Sequence, residues 1–474
     1  MIGDRALVLR RELGYEPRAL ARRMGRQEEP AILESAAGVG EAARWSVLAA
    51  WPRLVFEAVE ARWRIVAEPG VLAGLPRQGG DPLGGLRLLL GALQLDEEDD
   101  GPGPNEPPFR GGLIGLIGYD LAPRLERLPR RLPRTSQIPD LRFGLYDTFV
   151  VIDHGAKTAA GYAVDLIGEG CAATRARLDR LVRVVDGREP ERGSVRLAEP
   201  LRSDFSREEY QAAVARAIEY IRAGDIFQAN LSQRFAARLE QCDPLALYES
   251  LVACSPAPFA AYLRWGDRAV VSASPEWFYQ TRGRSIVTRP IKGTRPRGAT
   301  PQRDAALLAE LANSPKDRAE LTMIIDLERN DLGRVCEVGS IEVVAPYTVE
   351  SYEQVHHLVA TIGGTLRAGI GPVEVVAAMF PGGSITGAPK IRAMEIIDEL
   401  ERSRRSLYTG AIGYYSRGAS GFSIAIRTLL VEGEVVSYQV GGGIVADSDP
   451  EAEYEETLHK GRGLREALEA AGGC

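Results

Sequence analysis

Between Ser206 and Phe235 the hydrophobic period changes from that of a helix to that of a strand, and this change constrains the fold more than any other stretch. Ser206-Arg-Glu-Glu209 has the pattern of a capping box, in which the serine and glutamate side chains satisfy amides that the first helical turn leaves unpaired. Tyr210, Val214, Ala217, Ile218 and Ile221 then form an apolar stripe at helical spacing until Gly224 stops it. Strand alternation follows at once over Ile226–Phe235, with Gln228, Asn230, Ser232 and Arg234 on one face and Phe227, Ala229, Leu231 and Phe235 on the other. That polar face either meets solvent or lines a site. Periodicity alone therefore gives a mixed α and β chain.

Length allows two to four domains or one large unit, since the chain has 474 residues, 45% of them apolar and 26% charged. A net charge of −7 argues against a general polyanion binder. The arginine-rich segment Pro123–Arg134 is interrupted by Glu126 and prolines and has no interleaved aromatics, so no nucleic-acid partner is expected. Cys171, Cys242, Cys254, Cys336 and Cys474 are scattered without a Cys-x-x-Cys pair, which suits a reducing compartment and gives neither a disulfide framework nor a zinc site. The amino-terminal apolar run carries charges and no uncharged apolar run approaches a membrane span, so no membrane association and a cytoplasmic location are expected.

Residues 1–94 read as mixed helix and strand, and Leu33-Glu34-Ser35 precedes an Arg-Trp-Ser-Val strand. Asp96–Pro108 is acidic and rich in Gly and Pro, as a loop is. Gly112, Gly115 and Gly118 recur without the Gly-x-Gly spacing of a dinucleotide site, and close backbone packing explains them better. Strand signals over Leu141–Ile152 and a helix over Ala172–Val185 lead to the charged passage Asp186–Asp204, which is expected to join an amino-terminal half to a carboxy-terminal one.

Lys292 stands in Ile286-Val-Thr-Arg-Pro-Ile-Lys-Gly-Thr-Arg-Pro-Arg-Gly298, where Gly293 predicts a turn that ends a strand at the lysine. Such an amine is either a solvated charge or, if desolvation or the cations Arg289 and Arg295 lower its pKa, a nucleophile. Another strand, over Ala269–Phe278, carries Ser274-Pro-Glu276. Ser314-Pro-Lys-Asp317 starts a helix running to about Arg329, with Asp317 and Glu320 on one face. Asp449-Pro450 starts the last helix, on which Glu453, Glu456 and Lys460 share a face. The two acidic pairs either complement their helix dipoles or converge on a hard divalent ion, with Mg²⁺ favoured by the all-oxygen donor set.

Phe380-Pro-Gly-Gly-Ser-Ile-Thr-Gly-Ala-Pro-Lys390 is a Gly-rich loop leading into a helix over Pro389–Arg402, a site for an anion but without the Gly-Lys-Ser/Thr of a nucleotide loop. Gly441-Gly-Gly443 offers a second close backbone approach. Of His356 and His357, one is expected to face inward on a strand over Ser351–Ile362.

Taken in order, Asp225–Phe235, Ser274-Pro-Glu276, Pro290–Arg297, Asp326–Arg334, Pro381–Lys390 and Gly410-Ala-Ile-Gly-Tyr414 resemble the motifs of the chorismate-utilising enzymes, the family of the anthranilate, aminodeoxychorismate, isochorismate and salicylate synthases. The resemblance covers nearly all of the chain and is strongest from Ser206 to Arg465. It implies an α+β fold of two large antiparallel-rich sheets packed face to face with helices outside, with an amino-terminal domain over 1–200 and a chorismate-binding catalytic domain over 201–474.

On individual residues the resemblance implies Mg²⁺ carboxylates at Asp317, Glu320, Glu453 and Glu456, although the family's first pair is usually two glutamates. Tyr408, Arg427 and the backbone at Gly441 and Gly443 match positions that hold the enolpyruvyl side chain, while Lys460 and Ser384 match others lining the pocket. His357 matches the family's active-site histidine, and Glu276 the general acid that protonates the departing C4 hydroxyl. Gln228 stands where isochorismate and salicylate synthases have a lysine base, which disfavours addition of water. Anthranilate synthases carry alanine where this chain has Lys292, and aminodeoxychorismate synthases carry lysine. The resemblance therefore implies that Lys292 attacks chorismate covalently and that ammonia then yields 4-amino-4-deoxychorismate, on the route to para-aminobenzoate and folate. A glutamine amidotransferase subunit is implied as the ammonia source. Leu33-Glu34-Ser35 resembles part of a tryptophan pocket, but Ser255–Tyr262 departs from the rest of it, so tryptophan inhibition is not expected.

Overall fold

The computed structural model describes residues 7–36 and 44–472, so Cys474 and the first six residues lie outside the described residues. Among the described residues, thirteen strands form one antiparallel sheet and twelve form another. Ala31, Val47, Phe149 and Val151 of the first sheet meet Ile114, Leu116, Ile412 and Tyr414 of the second in a buried apolar layer, so the sheets pack face to face. Helices cover the outer faces. Pro17–Gly25, Cys171–Val185, Pro244–Cys254 and Pro450–Ala471 bury apolar side chains against the first sheet, while Pro82–Ala92, Pro315–Gly333 and Pro372–Met379 do so against the second. This is the α+β architecture expected. No helix among the described residues is long and apolar enough to cross a membrane.

Strands from both sides of residue 200 share each sheet. Leu33 stands opposite Ala261 in the first, and Ile114 opposite Tyr414 in the second. Glycine permits this closeness: a Cβ at Gly112 would lie 2.2 Å from Tyr415 O.

The helix Arg207–Arg222 begins at the expected capping box, Ser206 Oγ accepting from Glu209 N at 3.2 Å and Ser206 N donating to Glu209 Oε2 at 2.8 Å. Such a cap contributes about 1 kcal/mol. The following strand runs Gln228–Cys242, pairing with Val435–Ile444 so that Ser232 faces Gly441. Gln228, Asn230 and Ser232 are buried, which removes the solvent alternative for that face.

Three expectations are corrected. Residues 269–278 are not one strand: Arg268–Ser274 belongs to the first sheet and Trp277–Arg282 to the second, and Glu276 lies in the crossing between them. Lys292 does not end a strand. It lies within Ile291–Pro296, whose pairing with Val355–Thr365 shifts register between Ile291 and Thr294, and Gly293 supplies the left-handed φ of +77° that an irregular strand can require. Both histidines, not one, are buried, because Val355–Thr365 has strand neighbours on both edges and helices Pro301–Asn313 and Pro315–Gly333 packed against it.

Candidate active site

Glu276 is fixed where the chain passes between the sheets. Its carboxyl is buried and accepts from Ser384 Oγ at 2.8 Å and from Ile291 N at 3.4 Å. Burial pushes its pKa up, against the Ser384 hydroxyl and the Lys292 ammonium. Ser384 sits in the short turn Gly383–Ile385, and its carbonyl accepts from Lys292 Nζ at 3.4 Å. One turn residue thus touches both an acid and an amine.

Burial also pushes Lys292 down, towards the neutral amine, and Lys460 adds to this while Glu276, Glu320 and Glu456 oppose it. Arg289 and Arg295 are not the cause: Arg289 pairs with Glu350, and Arg295 with Glu310 at 2.7 Å and Asp317 at 3.1 Å. The expected cations are already neutralised, and the effective one comes from the last helix.

That helix lies over the Gly441-Gly-Gly443 strand. Lys460 Nζ donates to Gly441 O at 2.9 Å and pairs with Glu456 at 2.6 Å, and Glu453 accepts from Ser448 Oγ at 2.6 Å. A Cβ on Gly442 would fall 2.8 Å from Glu453 Oε2 and 3.6 Å from Glu456 Oε1, so both carboxylates face that glycine. Burial raises Glu320 and Glu453, and each also feels Glu456 as a like charge. Burial pushes Glu456 up too, but the ammonium groups of Lys460, Lys292 and Lys316 together outweigh it and the net shift is down. Asp317 is turned towards Arg295 instead.

Among the described residues no three His, Cys, Asp or Glu side chains stand in metal-holding geometry. The chemistry of Glu320, Glu453 and Glu456 nevertheless fits a hard cation: oxygen donors only, Glu456 repelling each of the other two, and Glu453 and Glu456 beside a glycine whose missing side chain leaves them room.

Gln228 is fully buried, and neither its amide nitrogen nor its amide oxygen has a protein hydrogen bond; a Cβ on Gly443 would come 2.8 Å from its Nε2. A neutral amide there can orient a ligand but cannot serve as a base. Arg427 holds a left-handed φ of +48°, and among the described residues no ion-pair partner reaches it, while burial pushes its pKa down. An unpaired guanidinium held in a strained backbone suits a carboxylate ligand. His357 accepts or donates at Nδ1 with Thr294 Oγ1 at 2.8 Å, and burial, then Arg427 and His356, push it down to about 3. Its imidazole is therefore neutral near pH 7.

Tyr408 is buried beside Arg405, whose guanidinium carbon lies 5.5 Å from its ring centroid. Arg405 and Glu401 form a fully buried ion pair, and Arg405 also donates to Ile385 O at 3.1 Å and to Asn230 O. It ties the Ser384 turn to the Gln228 strand, a role that sequence reading missed. Glu401 and Arg405 lie four residues apart in a charged run, a pattern that usually marks a solvated face.

A profile described as chorismate binding enzyme matches residues 78–466. The anthranilate synthase component 1 of Cereibacter sphaeroides is 39% identical over 456 residues, spanning 93% of this chain and 89% of that protein. The aminodeoxychorismate synthase component 1 of Klebsiella aerogenes is 44% identical over 391 residues, spanning 82% and 83%. Among solved structures, anthranilate synthase component I from Streptococcus pneumoniae gives a TM-score of 0.75 at 31% identity, over 89% of this chain and 92% of that one. The menaquinone-specific isochorismate synthase of Escherichia coli gives 0.71 over 98% and 96% at 17% identity, a likeness of fold.

Proposed function

The chain belongs to the chorismate binding enzyme family, and within it we propose that this protein aminates chorismate at C4 to give 4-amino-4-deoxychorismate. The observation that carries this reading is the amine of Lys292, desolvated and joined to the Glu276 acid through Ser384. Neutral Lys292 attacks C2 of the ring as the C4 hydroxyl leaves, the two ring double bonds shift from C1–C2 and C5–C6 to C1–C6 and C4–C5, and the Glu276 proton converts the leaving hydroxide to water. Ammonia then adds at C4 and expels the lysine from C2, with the Glu276 carboxylate taking back a proton. Arg427 and Tyr408 hold the enolpyruvyl carboxylate, backbone amides at Gly441 and Gly443 approach it closely, and Gln228 orients the attacking nitrogen. His357 serves as a neutral hydrogen-bonding group.

Glu320, Glu453 and Glu456, with Asp317 directly or through water, would hold Mg²⁺, which supplies positive charge to bind the ring carboxylate, and Asp317 also pairs with Arg295. Ammonia is proposed to come from a glutamine amidotransferase subunit in the cytoplasm, and ammonium salts to replace it.

The test is intact-mass analysis with chorismate and Mg²⁺ but without ammonia. An adduct is expected on the parent protein and not on Lys292→Ala; its absence from the parent would sink the covalent step. The second reading is anthranilate synthesis, favoured by the relative that spans 93% of the chain. Adding ammonium and looking for anthranilate fluorescence separates the two.

A further inference from the structure

Beneath the Ser384 turn lies a carboxyl that this chemistry does not use. Glu328, two turns beyond Glu320 on helix Pro315–Gly333, is 4% exposed. Its Oε2 is 3.3 Å from Thr288 Oγ1, and that hydroxyl is also 2.8 Å from Phe278 O. A hydroxyl has one proton to donate. The shorter contact commits it to the Phe278 carbonyl, so the contact with Glu328 is a hydrogen bond only when Glu328 brings a proton of its own.

The surrounding charges point the same way. Asp331 faces Glu328 from the same helix, Glu276 from the sheet crossing, and Lys390 from helix Lys390–Leu400. The Lys390 ammonium is bonded to Asp331 and, at 3.2 Å, to Met379 O. One cation already paired leaves Glu328 facing two further carboxyl groups, and burial above all, then Asp331, pushes its pKa up, against Lys390 and the Thr288 hydroxyl. The turn rests directly on this part of the helix: a Cβ on Gly383 would lie 2.4 Å from Leu327 Cδ2 and 3.5 Å from Glu328 Oε1.

We propose that Glu328 is a positioning residue for the reaction: as a neutral carboxylic acid donating to Thr288, it supports the Gly383–Ile385 turn that joins Glu276 to Lys292. Its ionisation removes the bond to Thr288 and places a negative charge under that turn, facing Glu276. The alkaline decline of turnover then includes the loss of the Glu328 proton. This kinetic consequence rests on the reading above, whereas the protonation of Glu328 does not.

The test uses the full chain as parent, Glu328→Gln, which keeps shape and a donor but cannot ionise, and Glu328→Met, which fills space without a donor. Thermal unfolding without substrate is followed from pH 5 to pH 9. A carboxyl held above its unfolded value stabilises the fold fully below that value, and its contribution is lost as pH rises from there through the raised folded-state value. The Tm of Glu328→Gln relative to parent is therefore expected to climb by a few degrees over that window and then level off; a constant difference overturns the neutral carboxyl. In chorismate consumption, Glu328→Gln is expected to stay within about threefold of parent at pH 7 and to extend activity to higher pH, while Glu328→Met loses about tenfold in kcat with KM unchanged. An unchanged alkaline limb in Glu328→Gln, or parent-like rates in Glu328→Met, overturns the positioning role. If the parent consumes no chorismate, the catalytic reading and the positioning role fall together, and the unfolding series still decides the protonation of Glu328.

Discussion

Lys292 and Glu276 are held by opposite ends of one residue: the Ser384 carbonyl accepts from Lys292 Nζ at 3.4 Å, and the Ser384 hydroxyl donates to Glu276 Oε1 at 2.8 Å. The spacing of amine and acid is thus set by one turn. Ser384→Ala removes only the hydroxyl end. A hydrogen bond to a charged or ionising group is worth about 1.5–3 kcal/mol, so chorismate consumption is expected to fall about 10- to 100-fold. The lysine contact is made by backbone and survives, so the mass adduct still forms, more slowly; an unchanged rate would separate the turn from the chemistry.

Activity requires the pair to keep one proton, on Glu276 and not on Lys292. Burial lowers Lys292, so the rate rises with pH as its ammonium is lost; burial raises Glu276, so the rate falls as its proton is lost. His357, pushed down to about 3, contributes no limb near neutrality. Glu276→Gln deletes the strongest charge that favours the Lys292 ammonium. Labelling of Lys292 by an amine-directed reagent is therefore expected to begin at lower pH in this variant, and a shift to higher pH would contradict the electrostatics.

Arg427 is desolvated and carries its charge without an ion-pair partner among the described residues. Removing it is expected to weaken substrate binding and to strengthen the fold. Arg427→Gln raises KM for chorismate about 100-fold, since a bidentate contact to a carboxylate is lost, yet raises Tm. Arg427→Gly gains further because glycine adopts the φ of +48° without strain. Calorimetry beside steady-state kinetics checks both; a fall in Tm for Arg427→Gly would count against the strain argument.

Gly442→Ala places a methyl group 2.8 Å from Glu453 Oε2. The variant is expected to fold normally but to need at least tenfold more Mg²⁺ for half-maximal rate, because the carboxylate must turn away. Chelation with EDTA is expected to abolish turnover in the parent, and added Mg²⁺ to restore it. Activity that survives thorough chelation would remove the cation from the proposal.

The parts of the fold legible in the sequence were those written in local hydrogen bonds. Ser314 accepts from Asp317 N at 3.2 Å and Asp449 from Ala452 N at 2.9 Å, each three residues from its partner, so both helix starts could be read directly. Gly293 looks like a stop after Lys292, whereas the pairing that continues past it belongs to Val355–Thr365, far along the chain. The Ala269–Phe278 run hides a change of sheet, since apolar residues resume at Trp277 and Phe278 after the short Ser274-Pro-Glu276 interruption. Among the site residues, Glu276, Lys292 and Ser384 are brought into contact, but the identity of the charges around Lys292 depended on which arginines were already paired, and no spacing rule reveals that.

Places where early and late strands lie side by side, among them Leu33 against Ala261 and Ile114 against Tyr414, limit how such a protein can be altered by descent. A coding sequence cut near the midpoint would leave each fragment with raw sheet margins whose amides seek any available strand, an invitation to clumping. The two halves are a single heritable object.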